Sequence, residues 1–476
     1  MTDESLTKLT ISELAPMIQT RQVSPVDLVD ASIARIERLQ PRLKSFINLM
    51  FDDARTHAKQ REQAIGQGEY LGPLDGIPLG IKDNLAVAGV PATAGAIAHA
   101  DFVPDEDAEA VRRLRAVGGI VMGKENMHEF AAGGRSNNPH YGAVTNPWDA
   151  KRIPGGSSGG GGANVAACLT FASLGTDVGG SVRFPAHCCG VVGMKATFGR
   201  VSQRGSLLTW GHGDHVGPLT RSVRDSALVL QACAGHDPSD ASSRKLPVPD
   251  FSARLGEDLK GVKIGIPKSF FFDVVTDDVE QRVNEAISIM TELGAELVEV
   301  DFPWLEYSRS VWLMMAVESA VTHEHLLRER RSQITDELIL GMLAGQFIPA
   351  RDYIKARKLQ HLIKDGFASA LAQVDAIVSP TSPAIAPLIN AESITIKDVE
   401  YDLKLTRDEV LGRDTYLANI TGIPAISLPC GFGEAGMPVG LQLMGRPFEE
   451  DRLYQIAYAC EQALSVKDTL CPLAKE

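Results

Sequence analysis

The chain has 476 residues, 44% of them hydrophobic, which is enough to bury a large core in one α/β domain or in two to three smaller ones. Its formal net charge of −13 argues against direct binding to nucleic acid or to an anionic membrane. No apolar stretch reaches the roughly 18 residues of a membrane span, and the N-terminus is polar, so we expect a cytoplasmic protein. The seven cysteines include no CxxC pair, which favours reduced, mostly buried thiols.

The N-terminal region has the pattern of amphipathic helices. Apolar residues recur at helical spacing from Ile11 to Ile18. Ser24, followed by Pro25, is typical of a helix start, and the apolar positions beyond it predict a helix through about Leu39. We expect the helices of residues 1–65 to pack on a catalytic body spanning 66–476, the whole forming a single domain.

Strand and helix patterns alternate along the rest of the chain. The predicted strands are 77–81, 119–122, 262–266, 296–300, 376–378, 425–428 and 439–444. The predicted helices are 106–117, 163–172, 277–293, 304–330, 351–372 and 449–464. Residues 133–146 are rich in Gly, Ser, Asn and Pro and are expected to form a loop. This alternation predicts a layered α/β fold.

Two glycine-flanked serines stand out within residues 152–183. Ser157 lies in the sequence GGSSG, and Ser181 follows two glycines. Upstream, Lys82 lies in the apolar, small-residue sequence GIPLGIKD. A lysine in such surroundings loses hydration and can be neutral near pH 7. A neutral lysine, a relaying serine and a nucleophilic serine would together form an acyl-transfer site.

These segments resemble the amidase signature family. The matching segments are 155–160, 175–183, 123–130, 146–148, 422–425 and 440–443. The resemblance covers most of the chain, and its paired-serine pattern is long enough to be specific. It implies a mixed β-sheet core between layers of α-helices, and a Ser-cisSer-Lys catalytic triad.

The family's triad maps onto three positions of this chain. Lys82 would be the base, Ser157 would follow a cis peptide bond and relay the proton, and Ser181 would attack the carbonyl carbon. The resemblance also implies an oxyanion hole of backbone N–H groups at Val178, Gly179, Gly180 and Ser181. Neither a metal nor an organic cofactor is expected.

Substrate-binding residues are expected beside the triad. The candidates are Met127, Phe130, Gly133, Thr176 and Arg183. The loop 127–138 and residues 379–383 would line the pocket, with Met127, Phe130, Ala131 and Ala132 forming an apolar wall. Thr176 and Arg183 could instead support the loop, and Arg183 could face an anionic substrate.

Three other motifs allow competing interpretations. The GxSxG at 155–159 would make Ser157 the nucleophile of an α/β-hydrolase elbow, but residues 149–154 lack the apolar strand that an elbow requires. The GxGxxG at 431–436 opens no helix and is interpreted as a hairpin turn. The HGDH at 212–215 has no third ligand at metal-site spacing.

The main functional hypothesis is an amidase that cleaves a small carboxamide, hydrazide, urea or carbamate through an acyl-enzyme. The alternative is the glutaminase (A) subunit of a tRNA-dependent amidotransferase, and a non-catalytic binding relative is a third possibility that the intact triad disfavours. The main hypothesis predicts a homodimer that acts on a small-molecule amide, without nucleic acid or membrane.

Overall fold

Fifteen strands occur in the described parts of the chain, which in this computed structural model are residues 4–403, 409–466 and 468–476. In chain order they are β1 (Phe46–Leu49), β2 (Pro78–Lys82), β3 (Ile120–Glu125), β4 (Asn137–Asn138), β5 (Gly142–Ala143), β6 (Ala172–Asp177), β7 (Val192–Lys195), β8 (His215–Thr220), β9 (Lys263–Pro267), β10 (Glu296–Val300), β11 (Ala376–Pro380), β12 (Ser393–Ile396), β13 (Val399–Asp402), β14 (Ala425–Phe432) and β15 (Pro438–Gly445).

Eleven of these strands form one mixed sheet, in the order β1-β3-β2-β6-β8-β7-β14-β15-β11-β9-β10. Strand β2 runs parallel to both β3 and β6, and β9 runs parallel to both β10 and β11. The other neighbouring pairs in the sheet are antiparallel. Two small hairpins, β4-β5 and β12-β13, lie outside it.

The same part of the chain contains sixteen α-helices. They are α1 (Ile11–Gln19), α2 (Pro25–Leu43), α3 (Phe51–Gly66), α4 (Glu109–Ala116), α5 (Gly159–Ala166), α6 (Arg183–Cys189), α7 (Val223–Cys233), α8 (Asp277–Glu292), α9 (Ser308–Thr322), α10 (Glu324–Glu329), α11 (Asp336–Gln346), α12 (Ala350–Leu371), α13 (Glu409–Gly412), α14 (Tyr416–Thr421), α15 (Glu450–Ala463) and α16 (Pro472–Lys475).

Helices cover both faces of the sheet, as alternate residues of β3 illustrate. Ile120 and Met122 belong to a core shared with α2 and α5, whereas Val121 packs in the core that holds α4 and α7. Successive strand residues point to opposite faces, so both faces are buried. The fold is therefore α/β, with a mixed sheet between helical layers, as predicted.

The N-terminal helices begin where their capping residues predict. Thr10 and Glu13 form a reciprocal capping box at α1. The Ser24 side chain accepts the Val26 N–H at the start of α2, with Pro25 in the first turn. Helix α2 extends beyond the predicted end at Leu39 and ends at Leu43, where Lys44 takes a left-handed conformation.

The predicted helix at 163–172 is wrong at both ends. Helix α5 is Gly159–Ala166, so it begins within a glycine run, although glycine has a poor helix propensity. The glycines are there because the chain packs tightly: a Cβ at Gly160 would lie 2.4 Å from the Asn126 carbonyl oxygen. At the other end, Ala172 pairs with Leu79 of β2 and starts strand β6.

The single helix predicted at 304–330 is also wrong, because it is divided into α9 and α10. His323 ends α9, and its ring packs 4.8 Å from the Phe130 ring, measured between centroids. Four strands of the central sheet, β1, β6, β7 and β8, were not predicted. Strands β6 and β7 carry glycines and polar residues at buried positions, which the hydrophobic pattern does not reveal.

Two predictions from composition can be compared with the fold. All seven cysteines are buried free thiols. Among the described residues, no helix has the length and hydropathy needed to cross a bilayer.

Candidate active site

Lys82 and Ser157 meet inside the protein, where parallel strands β2 and β6 end side by side. Lys82 is the last residue of β2, and its Nζ lies 2.7 Å from Ser157 Oγ. The same nitrogen lies 2.8 Å from the hydroxyl and 3.2 Å from the carbonyl oxygen of Thr176 near the end of β6. Asn84 also donates to that hydroxyl, at 3.0 Å. Three oxygen atoms therefore surround the lysine nitrogen.

The Gly156–Ser157 peptide bond is cis, as the resemblance implies. Its loop is fixed by residues that the sequence analysis missed. The Ser136 hydroxyl donates to the Gly155 carbonyl at 2.9 Å and accepts the Gly159 N–H at 3.2 Å. The His128 N–H donates to the Ser157 carbonyl at 3.1 Å. Ser136 lies in the loop predicted at 133–146, but no pattern within that loop distinguished this serine from its neighbours.

Ser181 lies in the turn between β6 and α6, which is held by Asp177. The Asp177 carboxylate accepts the N–H groups of Gly180 at 2.8 Å and Val182 at 3.1 Å. The turn lies beside the cis-serine loop, because the Ser158 N–H donates to the Ser181 carbonyl at 3.2 Å. Ser181 is 7% exposed, so the site is largely closed to bulk water.

The predicted oxyanion hole needs a correction at Gly180. Its N–H group is directed at Asp177 and cannot also donate to a substrate oxygen. The N–H groups of Val178, Gly179 and Ser181 have no hydrogen-bond partner within the described ranges. These three remain candidates for stabilising an oxyanion.

Burial controls the charge of the lysine. It lowers the pKa of Lys82 to about 7, against the opposing effect of the Asp214, Asp177 and Glu125 carboxyls. Burial also raises the pKa of Asp214 to about 6, although its carboxylate accepts backbone N–H groups. With a pKa of about 7, Lys82 is neutral in a large fraction of molecules at neutral pH, which is the protonation state that the predicted role of a base requires.

Arg183 is fully buried, and all five of its N–H groups are used. Two donate to the Asp177 carboxylate, at 3.0 and 2.9 Å. The acceptors of the other three are Gln442 Oε1, Asn419 Oδ1 and the Thr415 carbonyl. No donor is left for a substrate. The prediction that Arg183 binds substrate, or faces an anionic one, does not fit this arrangement, whereas support of the Ser181 turn does.

The other predicted substrate residues are distributed around the triad. Thr176 faces Lys82, and its hydroxyl accepts a hydrogen bond from the lysine nitrogen. Gly133 lies against the cis-serine loop, since a Cβ at Gly156 would be 3.0 Å from its carbonyl oxygen. Met127 and Phe130 are buried just upstream, in a segment that contacts Ser157 through the His128 N–H. Their role in substrate binding stays a prediction.

Two side chains that the sequence analysis missed lie against the Ser181 turn. The Trp312 indole of α9 packs over Gly179, where a Cβ would lie 2.5 Å from Trp312 Cη2. The Thr415 hydroxyl donates to the Gly179 carbonyl at 2.7 Å. Both residues come from distant parts of the chain, so no local motif could associate them with Ser181.

The structure also bears on the other motifs. Residues 149–154 form no strand, so Ser157 is not on an α/β-hydrolase elbow. The GxGxxG at 431–436 connects β14 to β15, confirming the hairpin turn. In the HGDH motif, Asp214 accepts the N–H groups of Thr209 and Trp210, and His212 pairs with Glu318. No group of three metal-ligating side chains occurs among the described residues.

Comparisons with known proteins agree with this site. The family model described as Amidase matches residues 27–454. A relative from Moorella thermoacetica, named as the A subunit of glutamyl-tRNA(Gln) amidotransferase, is 38% identical over 96% of both chains. A solved structure described as a vestigial protein complex that reveals the origins of an s-triazine catabolic enzyme superposes with a TM-score of 0.90, at 30% identity, over 95% of this chain and 98% of that one. A bacterial aryl acylamidase superposes with a TM-score of 0.87, at 27% identity, over 96% of each chain.

These relatives contradict the prediction about partners, which was a homodimer that acts on a small molecule without nucleic acid. The Moorella relative is by name one subunit of an enzyme that acts on a glutamylated tRNA, and it aligns along nearly the whole chain. The negative net charge misled the prediction, because one subunit can leave the contacts with nucleic acid to its partners.

Proposed function

The chain belongs to the amidase family, and we propose that it releases ammonia from glutamine as the A subunit of a glutamyl-tRNA(Gln) amidotransferase. The observation that carries this proposal is the 38% identity with a protein of that name over 96% of both chains. The buried lysine and paired serines supply the amide chemistry that such a protein requires.

The proposed reaction begins with proton transfer between the triad residues. Neutral Lys82 accepts the Ser157 proton, and Ser157 Oγ takes the proton of Ser181. Ser181 Oγ attacks the side-chain carboxamide carbon, and the oxyanion accepts hydrogen bonds from among the candidate N–H groups of Val178, Gly179 and Ser181. Ser157 protonates the leaving nitrogen and regains its own proton from Lys82, the C–N bond breaks, and ammonia leaves a Ser181 acyl ester. Water then hydrolyses the ester, regenerating Ser181 and releasing glutamate.

The burial of Asp414 and the lack of hydrogen bonds to its oxygens in the described structure favour a substrate that is an amino acid. It is fully buried, and neither carboxylate oxygen has a hydrogen-bond partner in the described structure. The cation it faces, Arg413 Nε, lies 3.9 Å away. The next residue, Thr415, contacts the Ser181 turn through Gly179. Burial raises the pKa of the Asp414 carboxyl well above its usual range, and a substrate ammonium group would favour its ionised form.

A second candidate is hydrolysis of a small aryl or alkyl amide. The Trp312 indole over Gly179 favours it, because an aromatic wall accepts an apolar acyl group more readily than the charged backbone of glutamine. The likeness to an aryl acylamidase supports it as well.

The substrate that the chain turns over distinguishes the two candidates, with ammonia released from glutamine and aniline released from an anilide. The chain is assayed with glutamine and with an anilide, alone and together with the other amidotransferase subunits and glutamylated tRNA(Gln). Glutamine turnover that rises when these partners are added supports the amidotransferase role. Rapid anilide hydrolysis by the isolated chain, with no glutamine turnover under any condition, overturns it in favour of the second candidate.

The isosteric variant Asp414→Asn refines this test. It should raise the KM for glutamine and leave the KM for a neutral amide unchanged, since only glutamine carries an ammonium group. An equal effect on both substrates would contradict the role of Asp414.

A further inference from the structure

The buried carboxyl of Glu125 is a second ionisable group beside Lys82. It is the last residue of β3 and pairs in register with Lys82 of β2. Its carboxyl is fully buried: one oxygen accepts Asn164 Nδ2 at 3.0 Å, and the other accepts the Ser173 hydroxyl. Asn164 lies on α5, directly after the cis-serine loop, so Glu125 connects the strands of the site to the helix that follows Ser157.

Gly80 makes the room for this carboxyl. Residues 80 and 82 point to the same face of β2, because side chains alternate along a strand. A Cβ at Gly80 would lie 1.8 Å from Glu125 Oε1. The carboxyl group therefore occupies the place of the missing side chain, on the face from which Lys82 reaches Ser157.

Lys82 is the cation that this carboxyl faces. The neighbouring Lys124 is directed elsewhere, since its Nζ lies 3.4 Å from the Asp83 carboxylate. The two other acids near the lysine have their own partners: Asp177 pairs with Arg183, and Asp214 accepts backbone N–H groups. Asn164 and Ser173 bring no charge to Glu125.

The electrostatics of the pair agree with this geometry. Burial raises the pKa of Glu125 to about 7, against the hydrogen bonds of Asn164 and Ser173 and the charge of Lys82. Burial lowers the pKa of Lys82 to about 7, and the carboxyls of Asp214, Asp177 and Glu125, in decreasing order of effect, oppose the change. The two groups therefore titrate as an interacting pair in the same pH range.

We propose that Glu125 is a positioning residue whose buried carboxyl sets the protonation state of Lys82, and through it the pH at which Ser181 becomes reactive. The inference rests on the proposed roles of Lys82 and Ser181. An ionised Glu125 stabilises the lysine ammonium and delays activation, whereas a protonated Glu125 leaves the lysine free to be a base.

Glu125→Gln tests this directly, because glutamine keeps the size and an oxygen acceptor for Asn164 but carries no charge. The readout is the rate at which a fluorophosphonate labels Ser181, measured from about pH 5 to about pH 10, around the pKa values of the groups concerned. The acid limb of the profile is the pH range in which the labelling rate rises as Lys82 loses its proton. Removing a nearby anion lowers the pKa of a lysine, so this limb should move by about 1 pH unit to lower pH. An unmoved limb, or a shift to higher pH, overturns the inference.

Asp225→Asn is the matched control. Asp225 is also a buried carboxyl, but it accepts the N–H groups of Ile11 and Ser12 at the start of α1. Its variant should unfold at lower temperature and keep the wild-type limb. A limb that moves as far in this control as in Glu125→Gln also overturns the inference, since the shift would then follow any loss of a buried charge.

Ser173→Ala keeps the inference testable if Glu125→Gln fails to fold. Loss of the serine hydrogen bond weakens the ionised form of Glu125, so the limb should again move to lower pH, by less than in Glu125→Gln. A shift to higher pH, or none, counts against Glu125. Wild-type protein that is not labelled at any pH would instead count against the proposed nucleophile.

Discussion

Asp177 and Arg183 form a fully buried ion pair that closes the turn carrying Ser181, with Arg183 Nη2 2.9 Å from Asp177 Oδ1. Arg183 counteracts the effect of burial and holds the pKa of Asp177 below its usual range. The ionised carboxylate then orients the backbone on both sides of Ser181 through Gly180 and Val182. The pair therefore links the end of β6 to the start of α6 and fixes Ser181 between them.

The first prediction follows from this pair. Arg183→Lys keeps the charge, but a lysine has three N–H donors, whereas the Arg183 side chain donates five hydrogen bonds. Some buried acceptors therefore lose their partners. We expect a destabilisation of about 3 kcal/mol and at least a roughly tenfold loss of kcat. Urea unfolding and steady-state turnover measure the two effects.

Arg200→Lys serves as the control for that variant. Arg200 is also buried and pairs with Glu450 at 3.0 Å, away from Ser181. Its substitution should destabilise the fold and leave kcat near the wild-type value. An equal loss of kcat in both variants would mean that the Asp177–Arg183 pair has no special role at the turn.

The second prediction concerns the nucleophile. Ser181→Ala should reduce turnover by at least about 10³-fold and leave the unfolding temperature nearly unchanged, because the hydroxyl is needed for the covalent step only. Ser158→Ala is the comparison, since Ser158 is buried in the neighbouring loop and its hydroxyl donates to the Thr176 carbonyl at 3.2 Å. Its turnover should stay within about tenfold of the wild type. Wild-type turnover in Ser181→Ala would exclude it as the nucleophile.

The third prediction concerns Lys82 and pH. Because its pKa is lowered from 10.5 to about 7, turnover should rise with pH through about 7 and level off above it. Lys82→Met should abolish this rise together with most of the activity. A profile unchanged in Lys82→Met would assign the proton transfer to another group.

The lowered pKa of Lys82 also makes the free energy of unfolding depend on pH. Between pH 7 and 10.5 the unfolded chain binds more protons at Lys82 than the folded chain does, so the free energy of unfolding rises with pH in this window. Lys82→Met removes this contribution. Its stability should therefore exceed that of the wild type most at pH values below 7, with a smaller gain towards pH 10.5, as urea unfolding at several pH values can measure.

The sequence indicated which residues meet at the site better than which residues surround it. Ser157, Ser181 and Lys82 were singled out by their glycine-flanked or apolar surroundings together with the family resemblance, and the structure places Lys82 against Ser157, whereas their catalytic roles stay predictions. Trp312 and Thr415 were missed because only the folded chain brings them to Gly179. In the same way, strand β6 was not predicted, and the helix predicted at 163–172 overlaps only its first residue, since the glycine and polar residues of β6 hide the strand pattern that its pairing with β2 requires.

The last prediction concerns the contact between Gly179 and Trp312. A Cβ at Gly179 would lie 2.5 Å from Trp312 Cη2, so Gly179→Ala must displace either the indole or the turn that carries Ser181. We expect kcat to fall by about tenfold or more, because small displacements of a reacting group are costly. Gly412→Ala is the matched control, since its Cβ would lie an ordinary 3.8 Å from the Gly179 carbonyl oxygen.

Trp312→Phe, which shortens the ring system, should restore much of the lost turnover when it is combined with Gly179→Ala, and a double-mutant cycle then measures the coupling of the two positions. Losses that simply add would show that the alanine acts on the turn and not through the indole.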